Sequence, residues 1–437
     1  MSSLSQEARD APAVPNISDL LQLLRGIVFV GAFSLAWITL APFQSLGRAS
    51  VLDVQAGNEV VTYFVFTALA ALAALLVVPR LRYILACVKP WPVWGMVLWL
   101  CLTSVISTDP GTSLKRLAFM FIVVGLWVCL FLFPRDQREL ARLLAWSAGL
   151  LLALSLGGVL FVPELAVHQA SDVLEPQLAG DWRGTFEHKN GAAAVFSCCV
   201  FIGLFAARSG LPLLGSLIAL GSAVFVFASG GKSSTMLLLL AFGIGMIWEW
   251  SQSKVLRVML AMTPLAFLLA FGVGAVLFPP LGDLTAKLPL DTTFTGRTDV
   301  WQYAADNLGG HLLTGHGFQA FWGTAERLYG SSDAGWAGTA AHAHNGYLDM
   351  VVETGLPGLF LAVAFLVILP IRDVFAAKHL KVNAALLTML TQIWLFGIYL
   401  SALESFFFSR ASSIWVIFIF AVFGLRYAAS HHLRGLE

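Results

Sequence analysis

Apolar residues run along most of this chain in near-continuous blocks, each closed by a few polar, glycine or proline positions. A helix of about 20 apolar residues matches the ~30 Å hydrocarbon thickness of a bilayer. Hydropathy windows predict about twelve membrane spans, near residues 22–43, 60–79, 91–108, 116–133, 140–162, 191–208, 211–229, 235–250, 256–279, 347–370, 384–403 and 411–428. The expected architecture is an all-α polytopic membrane protein, with residues 1–20 as a polar tail and 21–437 as a single transmembrane domain. No window outside the apolar blocks is long enough to bury a core of its own. Two long polar segments, 163–190 and 280–346, break the rhythm. Loops longer than about 12–15 residues are more often binding loops or lids than tethers. These two carry aromatics, glycine turns and isolated charges that a tether does not need. Within the second, Arg297 to Asn307 has the spacing of a short amphipathic helix with Val300, Trp301 and Ala304 on one face.

Composition agrees with the pattern. Of the 437 residues 58% are hydrophobic and 12% charged, with a mean hydropathy of +0.81, whereas a soluble domain is about 25% charged. The formal net charge of +1 and the lack of a basic run exclude a nucleic-acid partner. The five cysteines lie in or beside apolar blocks without metal-ligand spacing and read as small core hydrophobes. The N-terminal region lacks the basic, apolar and small-residue sequence of a cleavable signal, so the first apolar block is expected to stay as a span. Lysine and arginine bias sets the orientation. With both termini cytoplasmic, the inside segments hold most of the basic residues, among them Arg80, Arg82, Arg135, Arg138, Lys378 and Lys381. The segments 163–190 and 280–346 then face outward.

Candidate chemistry gathers on those outer segments. Arg183, in Asp181-Trp182-Arg183-Gly184-Thr185-Phe186, presents a planar, permanently charged fork suited to phosphate oxygens, although interfacial arginines also snorkel to lipid headgroups. Lys189 follows in the same segment as a supporting charge, and Lys232 stands at a short outer turn. Arg297 follows Gly296, and two arginines on separate outer segments suit one diphosphate, a leaving group that needs charge stabilisation. His342-Ala343-His344-Asn345 places two imidazoles just before an apolar helix; His344 is the candidate general base, with His342 and Asn345 in support. Two histidines at i, i+2 without further ligands make no metal site. Gly230-Gly231-Lys232-Ser233 resembles the end of a phosphate-binding loop, but Val226 stands where that loop requires glycine. Glu404 and Arg410 flank the last outer turn and are expected to pair with each other in a structural role. Ionisable residues at mid-membrane depth are otherwise scarce, which argues against an ion-coupled pump.

Taken in order, these elements resemble the O-antigen ligase and polymerase superfamily of bacterial membrane glycosyltransferases. The resemblance rests on Arg183-Gly184-Thr185-Phe186 with Asn190, Gly296-Arg297 with Trp301, Gly315-His316-Gly317, and His344-Asn345-Gly346-Tyr347-Leu348 followed by Glu353-Thr354-Gly355-Leu356-Pro357-Gly358. It implies a C-type glycosyltransferase fold with a large periplasmic loop, multi-pass in the bacterial inner membrane. It also implies a polyprenyl-diphosphate-linked glycan donor, inversion at the anomeric carbon, and no metal or cofactor. By position, Arg183 and Arg297 would bind the donor diphosphate and His344 would deprotonate the acceptor. Phe186-Glu187-His188-Lys189-Asn190 looks more like the exopolysaccharide-polymerase branch, whose acceptor is another glycan, than the ligases that deliver to a lipid A core. The competing class is a lipid-linked oligosaccharide flippase or transporter, which would place its polar groups deep in the membrane, often in two similar halves. No internal repeat is visible.

Overall fold

The computed structural model describes residues 16–45, 50–172, 175–287, 296–322, 337, 340–410 and 412–430. Most of the expected N-terminal tail, and Thr295 with parts of the 280–346 segment, lie outside the described residues. We number the principal helices α1 Ile17–Ile38, α2 Ser50–Val77, α3 Trp91–Val105, α4 Pro110–Leu130, α5 Gln137–Phe161, α6 Lys189–Arg208 and α7 Pro212–Ala228. Next come α8 Lys232–Trp250, α9 Lys254–Phe271, the short α10 Arg297–Asp306, α11 Gly346–His379, α12 Ala384–Leu400 and α13 Ser413–Ala429. Among the described residues, 8 helices are long and apolar enough to cross a membrane. Four shorter apolar helices, α3, α7, α12 and α13, bring the set to the expected twelve positions. The polytopic all-α fold anticipated from hydropathy is the fold observed.

Local sequence explains where these helices begin. Asp109 caps α4 by accepting from Thr112 N, Asp136 caps α5 through Glu139 N, and Ser253 caps α9 through Leu256 N. Pro92, Pro110 and Pro212 stand in first turns, where a missing N–H costs nothing. Burial then sorts the helices. Every residue from Ala385 to Leu400 of α12 is buried, and α13 is buried along almost its whole length, so these two form the centre. Arg257, Ala261 and Leu265 are the buried residues of α9, whose Val255, Leu256, Met259 and Phe267 are exposed as a lipid-facing surface would be. Helices α6 and α7 meet through glycine: a Cβ on Gly203 would lie 2.5 Å from Ala219 N, and one on Gly215 2.3 Å from Ala207 N. Such small-residue contacts let backbones approach in membranes, where burying apolar side chains offers no net gain over lipid.

One end of the bundle gathers the segments after α1, α5, α7, α10 and α12. A single antiparallel bridge between Val167 and Trp182 pins the first long segment, and Trp182 N donates to the Ala228 carbonyl at 3.1 Å. The other end carries the Arg208–Glu249 fork, at 2.9 and 2.6 Å, and the Arg426–Asp373 pair.

Helix α11 is broken where its sequence reads Glu353-Thr354-Gly355-Leu356-Pro357. Gly355 adopts φ 72°, and carbonyls freed by the break accept from the segment before it: His316 N bonds Val352 O and Gly317 N bonds Glu353 O, both at 2.9 Å. The Gly-His-Gly motif is thus a backbone splint for the broken helix. His316 itself is buried, with Nε2 2.9 Å from the Asn307 carbonyl and its ring stacked on His311. A Cβ on Gly355 would meet the Leu313 carbonyl oxygen at 2.3 Å. Gly355→Ala therefore combines a left-handed backbone strain of about 1–3 kcal/mol with a backbone clash. The expected outcome is a clearly lowered unfolding temperature in detergent; an unchanged melt would show that the break is not a fixed feature.

Candidate active site

Helix α12 delivers its C-terminus to a tight turn, residues 401–405, that sits beside the start of α11. Asn345 joins them. Its Oδ1 accepts from Tyr347 N and Leu348 N as the N-cap of α11, while its Nδ2 donates to the Ala402 carbonyl at 2.9 Å. Asn345 N reaches Ser405 Oγ, and Gly346 N reaches the Ser401 carbonyl at 2.7 Å. With its outer neighbour so anchored, His344 is held at φ 50°, a left-handed conformation that is uncommon outside glycine and is often found at functional sites. Helix α10 supports the same loop from beneath. Val300, Trp301 and Ala304 are its buried face, as their spacing predicts, and Trp301 Nε1 donates to the Ala343 carbonyl at 2.8 Å. Gly296, at φ 86°, turns the chain into that helix, so Arg297 projects from its first position.

These elements converge on Glu404. Arg297 Nη2 is 2.8 Å from Glu404 Oε1, and Arg297 Nη1 donates to the Leu403 carbonyl at 2.6 Å. His344 Nδ1 is 3.1 Å from Glu404 Oε2. Asn190 Nδ2, from the first turn of α6, donates to Glu404 Oε1 at 3.2 Å. Burial raises the Glu404 pKa, but the His344 hydrogen bond and the Arg297 charge outweigh it and hold the carboxyl below its ordinary value. Glu404 is therefore an anion at neutral pH. An Nδ1–H directed at that anion leaves His344 Nε2 as the lone-pair nitrogen, and no hydrogen bond to Nε2 occurs among the described residues. His342 packs edge-on against His344 with ring centroids 4.2 Å apart, and its Nδ1 accepts from His344 N. Desolvation, followed by the charge of a protonated His344, pushes the His342 imidazole down to about 4, so it is neutral.

The remaining sequence-predicted residues fall outside this cluster. Arg183 is 1% exposed, donating from Nη2 to the Gln44 carbonyl at 2.8 Å and from Nη1 to the Phe186 carbonyl, while its Nε has no partner among the described residues. Its own segment still feeds the site, because Asn190 lies in the same motif. Lys189 pairs with Asp181 at 2.5 Å, and Lys232 is exposed at the start of α8. Asn345 has its amide fully engaged by backbone. The expected Glu404–Arg410 pair is corrected: Arg410 Nη1 instead donates to Tyr63 Oη at 2.6 Å, and Glu404 is drawn to Arg297 and His344. Sequence reasoning passed over Glu404 as a hub. The available signal was a lone acid following a buried helix that carries no other charge, a position where an unpaired charge is expensive.

Residues 214–363 match the family model described as O-antigen ligase. That span contains Arg297, His316 and His344. Over those residues the chain is similar to that family. It is also 34% identical, over 203 residues, to the exopolysaccharide production protein ExoQ of Rhizobium meliloti (strain 1021). The match covers 38% of this chain and 45% of the relative, so the chain spans about half the length of that relative. Arg183 and Glu404 lie outside the family match, and Glu404 is tied to it through Arg297 and His344.

Two predictions follow from the charges. Glu404→Gln keeps the shape but removes the counter-ion that favours the imidazolium, so any reaction that uses His344 as its base should slow at least tenfold and its acidic limb should move to lower pH. A rate–pH series on purified protein checks both. His342 is neutral when folded down to about 4, whereas an unfolded histidine takes up a proton near 6.5. The unfolded state thus binds more protons between those values, and stability falls as pH drops through that window and levels off below it. Replacing the imidazole in His342→Gln should flatten that limb in pH-dependent melts.

Proposed function

We propose that the protein transfers or polymerises a polyprenyl-diphosphate-linked glycan at the periplasmic face of the bacterial inner membrane, with inversion and without a metal. The observation that carries this reading is one carboxylate bridging an arginine and a histidine whose second nitrogen is open. The acceptor hydroxyl would lose its proton to His344 Nε2 as its oxygen bonds the anomeric carbon. The bond from that carbon to the diphosphate oxygen breaks, and its electron pair leaves with the diphosphate. In the resting cluster Glu404 neutralises Arg297. When His344 becomes an imidazolium, Glu404 is shared between two cations and the cluster gains a net positive charge as the leaving diphosphate gains negative charge. Proton capture and leaving-group stabilisation are thereby coupled through one side chain. Arg183 is the second donor-binding cation of this reading, although in the resting structure its fork holds the Gln44 and Phe186 carbonyls outside the cluster.

The polymer-forming branch is favoured by the relative named for exopolysaccharide production and by His188-Lys189-Asn190. Ligation to a lipid A core is the alternative. The outward orientation, with both termini cytoplasmic, rests on the basic-residue bias. A flippase is disfavoured by the placement of charged groups at the ends of the bundle rather than along a central path.

The deciding assay supplies purified protein with lipid-linked repeat units, with and without lipid A-core acceptor, and scores chain growth against ligation. In it His344→Ala should lose at least a hundredfold in rate while donor binding and the melting temperature stay close to wild type. Arg297→Lys should also be strongly impaired, because a point charge cannot span Leu403, Glu404 and phosphate with one planar fork. Near-normal product from His344→Ala removes the base assignment. Arrest by a chelator with rescue by added metal removes the metal-free mechanism.

A further inference from the structure

A second feature adjoins the cluster on the far side of the histidine pair. A cavity of about 320 Å³ is walled by His342, Trp322, Asp349, Glu353, Arg116 and Arg410, with Phe406 and Phe407 alongside. Small-molecule pockets fall in the range of about 300–1,000 Å³, so this one has room for a sugar unit and little more. Its carboxylates are one helical turn apart on α11. Asp349 Oδ1 accepts from Trp322 Nε1 at 2.7 Å and from Ala343 N at 3.0 Å. Glu353 Oε2 accepts from Gln319 N at 3.1 Å, and no hydrogen bond to its Oε1 occurs among the described residues. Two acids side by side on an apolar helix are costly to keep, and a packing role would be filled better by leucine. The helix break at Gly355 and its splint from residues 312–317 hold Glu353 in place.

We infer that this cavity is the acceptor-sugar subsite of the glycosyl transfer proposed above, with Glu353 as the specificity residue that receives hydroxyl hydrogen bonds. Hydroxyl-rich, uncharged rings are recognised by carboxylate and guanidinium groups at their edges and by aromatic walls at their apolar faces. All three occur here. The order across the site is then Arg297, Glu404, His344, His342, cavity. The base then lies on the acceptor side of Arg297, where it can take the proton of the attacking hydroxyl. His342, neutral and in contact with both the base and the cavity, separates the buried acids from the catalytic imidazole.

The inference rests on the glycosyl-transfer reading, and its test keeps the two apart. Full-length protein in nanodiscs is given the lipid-linked repeat unit as donor and, as acceptor probe, an oligosaccharide released from the source bacterium's own exopolysaccharide. Each is varied at saturating amounts of the other. Glu353→Gln should raise the acceptor KM at least tenfold, with the donor KM unchanged and kcat within about threefold of wild type. Ser409→Trp, which fills the cavity from its wall and leaves both carboxylates in place, should do the same and serves if the first variant fails to fold. An unchanged acceptor KM in the folded variants, or a rise in the donor KM instead, overturns the subsite. Direct binding of the oligosaccharide is followed in parallel by calorimetry. Wild type that binds it and loses binding in Glu353→Gln, yet transfers nothing from the donor, upholds the cavity and defeats the proposed function. Wild type that neither binds nor transfers defeats both.

Discussion

The site depends on the burial of one negative charge. A carboxylate at the end of a helix without another charge has lost most of its water, and a group so placed must be neutralised or find partners. Glu404 finds three: Arg297 from α10, His344 from the loop before α11, and Asn190 from α6. Those residues come from distant parts of the chain, so the compensation of one charge assembles the constellation. The same interaction gives His344 its tautomer and Arg297 its orientation, which are what proton transfer and diphosphate binding need.

Precision at this point comes from backbone rather than side-chain packing. Asn345, Ser405 and Trp301 spend side-chain polar groups on the main chain around His344, and the Ser401 carbonyl accepts from Gly346 N. In a membrane such bonds are dependable anchors, because water is absent as a competing partner and unmet polar groups are costly. The break in α11 follows the same logic. Its freed carbonyls are taken by the Gly315–Gly317 segment, so a discontinuous helix is tolerated where protein supplies the missing donors. One consequence is that motifs at Gly315-His316-Gly317 and at Glu353 to Gly358, which look like separate signatures in sequence, are two halves of one joint.

Arg183 illustrates the other use of a buried cation. Its guanidinium lies in the protein interior and holds carbonyls of Gln44 and Phe186, tying the turn after α1 to the segment before α6. Phosphate-binding chemistry and loop-holding chemistry use the same fork, so a motif alone does not distinguish them.

Much of the fold was legible in the order of residues. Span positions, the all-α class, the buried face Val300-Trp301-Ala304 and the candidacy of His344 and Arg297 follow from periodicity and from the rarity of charge in a greasy chain, which are local properties. Glu404 as the hub, the reassignment of Arg410 to Tyr63, the enclosure of Arg183, and the pairing of Asp349 with Glu353 in one cavity were decided by the tertiary structure. Each depends on which helix ends meet, and helix order around a bundle is set by packing between apolar surfaces that look alike in sequence. A lone acid in an apolar chain announces that it will have a partner; only the folded molecule says which one.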